Sequence, residues 1–415
     1  SAQTTVSTPN PAATPETPRS VRSRLRYSRP APSEAQPRKL TFQDESPEIS
    51  GPAGQPSHKL NDTPGGGPLT EALQLVPAAA CNYSSNLRLE PIPADFSLAQ
   101  SFCSYGYFFL APNVWIPAPL EADEDFGVFY RPLSCPTVPH PRIHAPSADD
   151  RTRRVVHVIV QQDKAGNALI IHTRSETDLL TCHKDFIQAA VVRMLRTDLN
   201  LEAWYACHPE AAARGFGRTY RSPSVFEDMV KTITNCNVTF KNTTTMNAAL
   251  CREFGADGVA FPEPSDLAAI SPEDLKARGR VGYRAASIIA LAQAFVAGEL
   301  SEDWFHDATV PTAEVYQKIR SLKGFGPYAT SNVLQLLGRY DSAIEAWDTE
   351  TVRLMKEVGV RGSKPEEFYA AARQRYAKYA PYQFLAYWME LWQNYETRTG
   401  TASTRWRRAT FSSSL

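Results

Sequence analysis

From Thr177 onward, apolar residues recur with the period of an α-helix. Phe186, Ile187, Ala190, Val191 and Met194 fall at i, i+1, i+4, i+5 and i+8, a stripe that wants burial. Val225, Phe226, Met229, Val230 and Ile233 predict a second helix starting near Ser224. A third covers Tyr283 to Val296 through Ala285, Ile288, Ile289, Ala292 and Phe295. Ser271-Pro-Glu-Asp274, ahead of it, has the form of a capping box with proline at the first helical position. A fourth, around Val315 to Leu322, runs into Gly324-Phe-Gly326, and Val333, Leu334 and Leu337 mark its partner. Further helices are predicted over Thr349–Glu357, from Ser363-Lys-Pro-Glu366, and from Pro381 to about Tyr395.

Before Thr177 the pattern changes to that of strands. Val155-Val-His-Val-Ile-Val-Gln161, the turn Asp163-Lys-Ala-Gly-Asn167 and Ala168-Leu-Ile-Ile-His172 read as a hairpin. The aromatic-rich stretch Phe96 to Trp115, broken by Gly106 and Pro112, is read with it as part of a small antiparallel sheet. The predicted class is therefore α+β: a sheet domain over residues 80–175, then a domain of seven or eight helices over 176–396, with a basic tail over 397–415.

Composition adds an arm at the front. Residues 1–79 hold 13 of the 32 prolines and two aromatics, Tyr27 and Phe42, too little apolar surface to offset ordering, so disorder is expected there. Arg19, Arg22, Arg24, Arg26, Arg29 and Arg38 face only Glu16 and Glu34 in the first 43 residues. Such a segment serves as an organelle transit peptide, a nuclear import signal, a DNA-contacting arm or a plain solvated tail. The tail at the other end carries Arg398, Arg405, Arg407 and Arg408 around Trp406.

The formal net charge is zero, so any nucleic-acid footprint is local. No apolar run approaches the ~20 residues of a membrane-spanning helix, and no membrane role is expected. The seven cysteines form no C-x-x-C pair and read as reduced residues. Cys135, His140 and His144 lack a further ligand at metal spacing and lie among prolines.

The candidate chemistry centres on Leu322-Lys-Gly-Phe-Gly-Pro-Tyr-Ala-Thr330. Gly324 and Gly326 predict a tight hairpin between two helices, because glycine enters left-handed backbone conformations without steric cost. Its exposed amides, with those after Pro327, suit a phosphate. A single carboxylate, Asp348, follows about 20 residues on, in Glu345-Ala-Trp-Asp348.

Hairpin and aspartate together resemble the helix-hairpin-helix (HhH-GPD) DNA glycosylase superfamily. Within it, residues from roughly Arg221 to Tyr395 are most similar to 8-oxoguanine DNA glycosylases. Four matches carry this in order: Phe226-Glu-Asp-Met-Val-Lys-Thr-Ile-Thr-Asn-Cys-Asn237, Gly282-Tyr-Arg-Ala285, Leu322 to Thr330, and Trp347-Asp348. The resemblance implies Asn237 as the plug that fills the hole left by a flipped base. It implies Tyr283 as a wedge in the duplex and Arg284 as a donor to the orphaned base. Gly324 and Gly326 would hold a phosphate beside Lys323, with Na+ or K+ at the carbonyls of Leu322 and Gly324. The implied partner is damaged double-stranded DNA, bound by a monomer in the nucleus, with chloroplast or mitochondrion as the alternative.

Two departures shape the expected chemistry. Where the 8-oxoguanine enzymes place a sugar-attacking lysine, this sequence has Tyr328, and the places that read the oxidised guanine hold Asn332, Tyr387 and Leu391. An aromatic at the Tyr328 place is similar to 3-methyladenine DNA glycosylase II, which works through its aspartate alone. No cysteine follows Cys251, so the Cys-ligated iron–sulfur loop of some relatives is not expected, nor any other cofactor.

Cleavage of an N-glycosidic bond passes through a cationic sugar, which one ionised carboxylate stabilises while orienting a water. Asp348 is the candidate, though aspartate there also caps the Thr349–Glu357 helix. Tyr328, Trp347, Tyr387 and Leu391 are the candidate base pocket, whose aromatic faces suit cationic alkylpurines. The expected function is a monofunctional DNA glycosylase acting on an alkylated purine. The alternatives are an 8-oxoguanine-type glycosylase/lyase and a catalytically silent DNA-binding protein. The plainer readings of Tyr283 and Asn237 are a surface tyrosine and a helix C-cap.

Overall fold

The computed structural model describes residues 67–119, 127–136, 153–163, 165–340 and 347–407. Arg19 to Arg38, His140, His144, Glu345 and Arg408 lie outside these residues. Five strands, β1 (Tyr83–Leu89), β2 (Val114–Ile116), β3 (Val128–Pro136), β4 (Arg153–Gln162) and β5 (Leu169–Ser175), form one antiparallel sheet in the order β1-β5-β4-β3-β2. The expected hairpin is β4–β5, with Val160 opposite Ile171. Asp163 closes its turn by accepting from the amides of Asn167 at 3.0 Å and Ala168 at 3.2 Å.

Helices precede and interrupt the sheet. They are α1 (Pro68–Gln74) and α2 (Leu98–Phe102). The part of the front arm from Pro68 is therefore helical: Leu69, Ala72, Leu73 and Val76 lay one short stripe on the outer face of the sheet against Val128, Tyr130 and Ile159. Proline at its first turn and two turns of length hide that stripe in a proline-rich sequence. The aromatic stretch is helical rather than extended at Leu98–Phe102, since Ser97 caps it through the Gln100 amide at 3.3 Å, and a 3₁₀ turn follows over Gly106–Phe109.

Beyond β5 come α3 (Thr181–Leu195), α4 (Glu202–Cys207), α5 (Pro209–Arg214), α6 (Val225–Asn235), α7 (Phe240–Phe254), α8 (Pro264–Ala268) and α9 (Pro272–Gly279). They continue with α10 (Ala285–Val296), α11 (Glu302–His306), α12 (Thr312–Ser321), α13 (Pro327–Leu337), α14 (Thr349–Glu357), α15 (Pro365–Tyr376) and α16 (Gln383–Thr399). The helices absent from the sequence reading are mostly of five or six residues, too short to show a period. Helix α7 is longer, but its Thr243-Thr244-Thr245 run blurs the apolar stripe. Caps stand where expected at Ser224 and Ser271, which accept from the amides of Glu227 and Asp274 at 3.1 Å each. Before α15, Lys364 takes the capping place and Ser363 instead donates its amide to Glu367 at 2.7 Å.

Sheet and helices share one core. Phe129 and Val158 of the sheet belong to the same buried cluster as Val230 of α6 and Leu391 of α16. Part of the tail joins it: Trp406 is buried, and the Thr404 carbonyl accepts from the Trp115 indole at 2.8 Å.

Helix α6 is pinned by buried ions. Arg131 of β3 forks onto Glu227 at 3.0 and 2.5 Å, and Lys231 reaches the same carboxylate at 2.6 Å. Burial alone would raise the Glu227 pKa, but Arg131 and Lys231 hold it below the usual range. Asp228 meets Arg193 at 2.9 Å, and Glu302 accepts from the amides of Val225 and Phe226 that open the helix. Breaking one partner of such a buried set costs about 3–5 kcal/mol, because the other charge is left without compensation. This fixes the direction of α6 and hence the place of the turn that follows it.

Candidate active site

The hairpin joins α12 to α13. Its two glycines differ. Gly324 has φ +95°, and a Cβ there would lie 3.0 Å from Cβ and Oγ of Ser287 on α10. Gly326 is extended (φ −76°, ψ −179°) and has open space where a Cβ would go. Only Gly324 therefore needs the left-handed conformation, and it also lets the hairpin close on α10. Gly326 serves as the N-cap of α13, followed by Pro327 at the first helical position. Phe325 is buried between them, and Arg320 donates to its carbonyl at 2.8 Å. Lys323, Gly324 and Gly326 are exposed. No described residue accepts from the amides of the two glycines.

Asp348 is the N-cap of α14. Its Oδ1 accepts from the amides of Glu350 and Thr351, each at 3.0 Å, and its own amide donates to Thr351 Oγ1 at 3.3 Å. The capping role foreseen for this residue is real, and it uses one carboxylate oxygen only. Oδ2 has no partner among the described residues, so the cap presents a fixed, free oxygen. Burial raises the Asp348 pKa, against the lowering effect of the Thr351 amide. Thr351 Oγ1 also meets the hydroxyl of buried Tyr387 at 2.9 Å. Tyr387 thus braces the cap from behind, on α16.

Tyr328 lies on the first turn of α13, half-buried, and its hydroxyl has no partner among the described residues. Burial pushes its pKa far above the ordinary value, and the neighbouring charge of Asp348 adds to that. Trp347 is half-buried, parallel to Tyr369 at 6.3 Å, edge-on to Tyr387 at 5.6 Å, and 6.0 Å from the Arg373 guanidinium. Its indole N–H is buried and has no partner among the described residues. Leu391, one turn after Tyr387, is buried in the core.

The other predicted residues lie where α6 ends and where α10 begins. Tyr283 is the most exposed of the large apolar side chains among the described residues, at 71 %, on the turn that leads into α10. Asn237 is exposed and left-handed (φ 52°) just past the end of α6. Arg284 is buried, donating Nε to the Ile233 carbonyl at 3.1 Å and Nη2 to those of Cys236 and, at 3.5 Å, Asn237. Its guanidinium also lies 4.5 Å from the Tyr283 ring. These carbonyls lie at and just past the C-terminus of α6, where the helix dipole favours a cation; that of Ile233 also accepts from the Cys236 amide at 3.4 Å. Arg284 thus ties plug to wedge.

Several participants have little or no sequence signal. Thr351 is foreseeable, standing three residues after Asp348 in capping-box spacing. Tyr105 is not. It comes from the turn after α2, packs at a tilt against Trp388 of α16 with ring centres 4.7 Å apart, and donates its hydroxyl proton to Asn332 Oδ1. Asn332 is buried and donates to Tyr107 Oη and Thr232 Oγ1 at 3.0 Å each.

Residues 230–378 match the family model described as "HhH-GPD superfamily base excision DNA repair protein". No curated protein matches the chain. Among solved structures it is similar to MBOgg1 in complex with a low affinity DNA ligand, at 22% identity and TM-score 0.47, over 73% of this chain and 94% of that one. The 3-methyladenine DNA-glycosylase from Archaeoglobus fulgidus gives 18% identity and TM-score 0.48, over 74% and 98%. The Clostridium acetobutylicum 8-oxoguanine glycosylase/lyase, in complex with DNA containing cytosine opposite 8-oxoG, gives 13% and 0.48, over 77% and 99%. The matched segment, which carries the hairpin, Tyr283 and Asp348, belongs to the HhH-GPD superfamily of base-excision DNA repair proteins, as its motifs imply.

Proposed function

We propose that this protein is a monofunctional DNA N-glycosylase that flips a damaged base, an alkylated purine, out of duplex DNA and hydrolyses its glycosidic bond. The carrying observation is the pair of Asp348 and Tyr328: a carboxylate with Oδ1 fixed by two helix amides and Oδ2 free, beside a tyrosine where a lyase has lysine. As the C1′–N bond breaks, its electron pair passes to the base and the sugar becomes cationic. Asp348 Oδ2 stabilises that charge and orients a water, whose oxygen bonds C1′ while its proton passes to the carboxylate or to solvent. An N-alkylated purine is already positive, so the electron pair neutralises it and no acid is needed. That matters here, because the nearby phenol of Tyr328 is a poor acid.

Flipping leaves a hole that exposed Tyr283 and Asn237 fill, entering from the minor groove. The free hairpin amides and Lys323 hold a phosphate without reading sequence. Among the described residues the Leu322 carbonyl accepts only from the Phe325 amide, at 3.3 Å, and with the Gly324 carbonyl keeps lone pairs for a monovalent cation. The test is a panel of duplexes with one damaged base each, cleaved with and without alkali. Breaks that need alkali, on an alkylpurine duplex, support the reading. Breaks without alkali point to a lyase. No product on any duplex, with DNA binding unchanged in Asp348→Asn, leaves a binding protein.

A further inference from the structure

The turn that carries Tyr283 opens with a second exposed side chain, which has no part in the chemistry above. Arg280 ends α9 in the left-handed conformation, at φ 57°. Any side chain is less stable there than glycine, yet the glycine of this stretch stands one place earlier. Gly279 serves packing instead: a Cβ on it would lie 3.2 Å from Leu275, 3.3 Å from Leu250 and 3.4 Å from Phe254. Arg196, the other left-handed arginine among the described residues, spends its guanidinium on the carbonyls of Thr219, Gln335 and Leu336. Arg280 is exposed and makes no hydrogen bond or ion pair among the described residues. Its neighbour Arg278 pairs with Asp274 at 3.1 Å and Glu253 at 3.3 Å. The charge of Arg278 is met within the protein, and that of Arg280 is left to solvent.

The turn fixes where that charge lies. Val281 is fully buried and anchors it, and the Arg284 amide donates to the Val281 carbonyl at 3.2 Å. Tyr283 follows Arg280 by three residues, so at most about 11 Å separates their Cα atoms. Duplex DNA carries a phosphate about every 3.4 Å along each strand. With Tyr283 inserted at a base step, a phosphate beside that step falls within the reach of an arginine side chain.

We propose that Arg280 is a DNA-positioning residue: its guanidinium takes a backbone phosphate beside the step that Tyr283 opens, and so holds the wedge in register with the lesion. The inference rests on the wedge of the glycosylase reading and deepens it with a phosphate contact outside the hairpin. Such a contact carries no base information, so Arg280 adds affinity and salt dependence, not a preference among lesions.

The test measures binding of the full chain to a duplex with one tetrahydrofuran abasic analogue, over a range of potassium chloride concentrations. Arg280→Gly suits the left-handed place, so its melting temperature should be no lower than that of wild type. Its affinity at low salt is expected to fall about tenfold, and the slope of log K against log salt to shrink by about 0.9, the share of one phosphate. Arg280→Lys keeps the slope. Lys276→Gln, which removes an exposed cation one turn back on α9, leaves the slope as in wild type. An unchanged slope in Arg280→Gly overturns the inference. So does a slope that Lys276→Gln reduces as much, since any charge on α9 then serves as well, or one that stays reduced in Arg280→Lys. Excision is scored on the same proteins with a 7-methylguanine duplex. A wild type that binds but excises nothing overturns the glycosylase reading, and the slope still decides the role of Arg280. A wild type that does not bind the duplex overturns both.

Discussion

The rim and the pocket of this site are built on opposite principles. On the rim, Tyr283 and Asn237 are exposed side chains on short turns, and in the proposed reading each acts through its own shape. In the pocket, Asp348 is held by the amides of Glu350 and Thr351, and Thr351 in turn by Tyr387. A rim residue can be removed with little effect on the fold. Thr351 and Tyr387 are nodes of one hydrogen-bonded set, where removal leaves other groups unpaired. The contrast predicts which substitutions separate function from stability.

The largest expected effect is that of Asp348→Asn. Loss of the carboxylate lowers single-turnover excision by about 10²–10⁴-fold. Asparagine caps a helix as well as aspartate does, so α14 stays capped. Because burial raises the Asp348 pKa, its ionised form weakens the fold: the stability contribution of this group is full below the unfolded value of about 3.9 and is lost as pH rises through the higher folded value. The variant should therefore melt no lower than wild type at neutral pH. For the same reason, the acid limb of the rate–pH profile of wild type should lie above the ordinary aspartate value, and a limb at or below it would contradict the burial argument.

Next in size is Tyr283→Ala. Without the wedge, excision from a paired lesion falls about 10–100-fold, the equivalent of a lost unstacking contribution of a few kcal/mol, and the melting temperature is unchanged. Arg284→Met reverses that profile. It uncaps α6 and is expected to reduce stability by about 1–3 kcal/mol, measured by denaturant unfolding. If Arg284→Met left stability intact but abolished discrimination of the base opposite the lesion, the arginine would be a reader and not a tie.

The smallest pair compares the hairpin glycines. Gly324→Ala meets both a left-handed φ and Ser287, for a loss of about 1–3 kcal/mol. Gly326→Ala, in an extended conformation with open space, should lie within about 0.5 kcal/mol of wild type. Equal effects would break the assignment of different roles to the two.

The same contrast governs what the sequence reveals. Rim residues sit in short local motifs, such as Gly282-Tyr-Arg-Ala285, and the hairpin and Asp348 are punctuated by glycine, proline and a capping pattern. Helices with two or more full apolar turns, α3, α6 and α10, are legible for the same reason. The pocket is not. Tyr105 and Asn332 are 227 positions apart, and nothing local to either foretells their contact. Arg284 shows the limit in reverse: its motif is plain, yet its burial against the carbonyls of α6 is a tertiary fact. Helix α1 is missed because composition outweighs a two-turn stripe.

The central claim is hydrolysis by Asp348 without a covalent intermediate. Its most direct test is borohydride treatment of wild-type protein during turnover of an alkylpurine duplex, with strand breaks scored before and after alkali. We expect no protein–DNA adduct and breaks only after alkali. A borohydride-trapped adduct, with breaks before alkali, would mean that an amine attacks the sugar and would contradict the account.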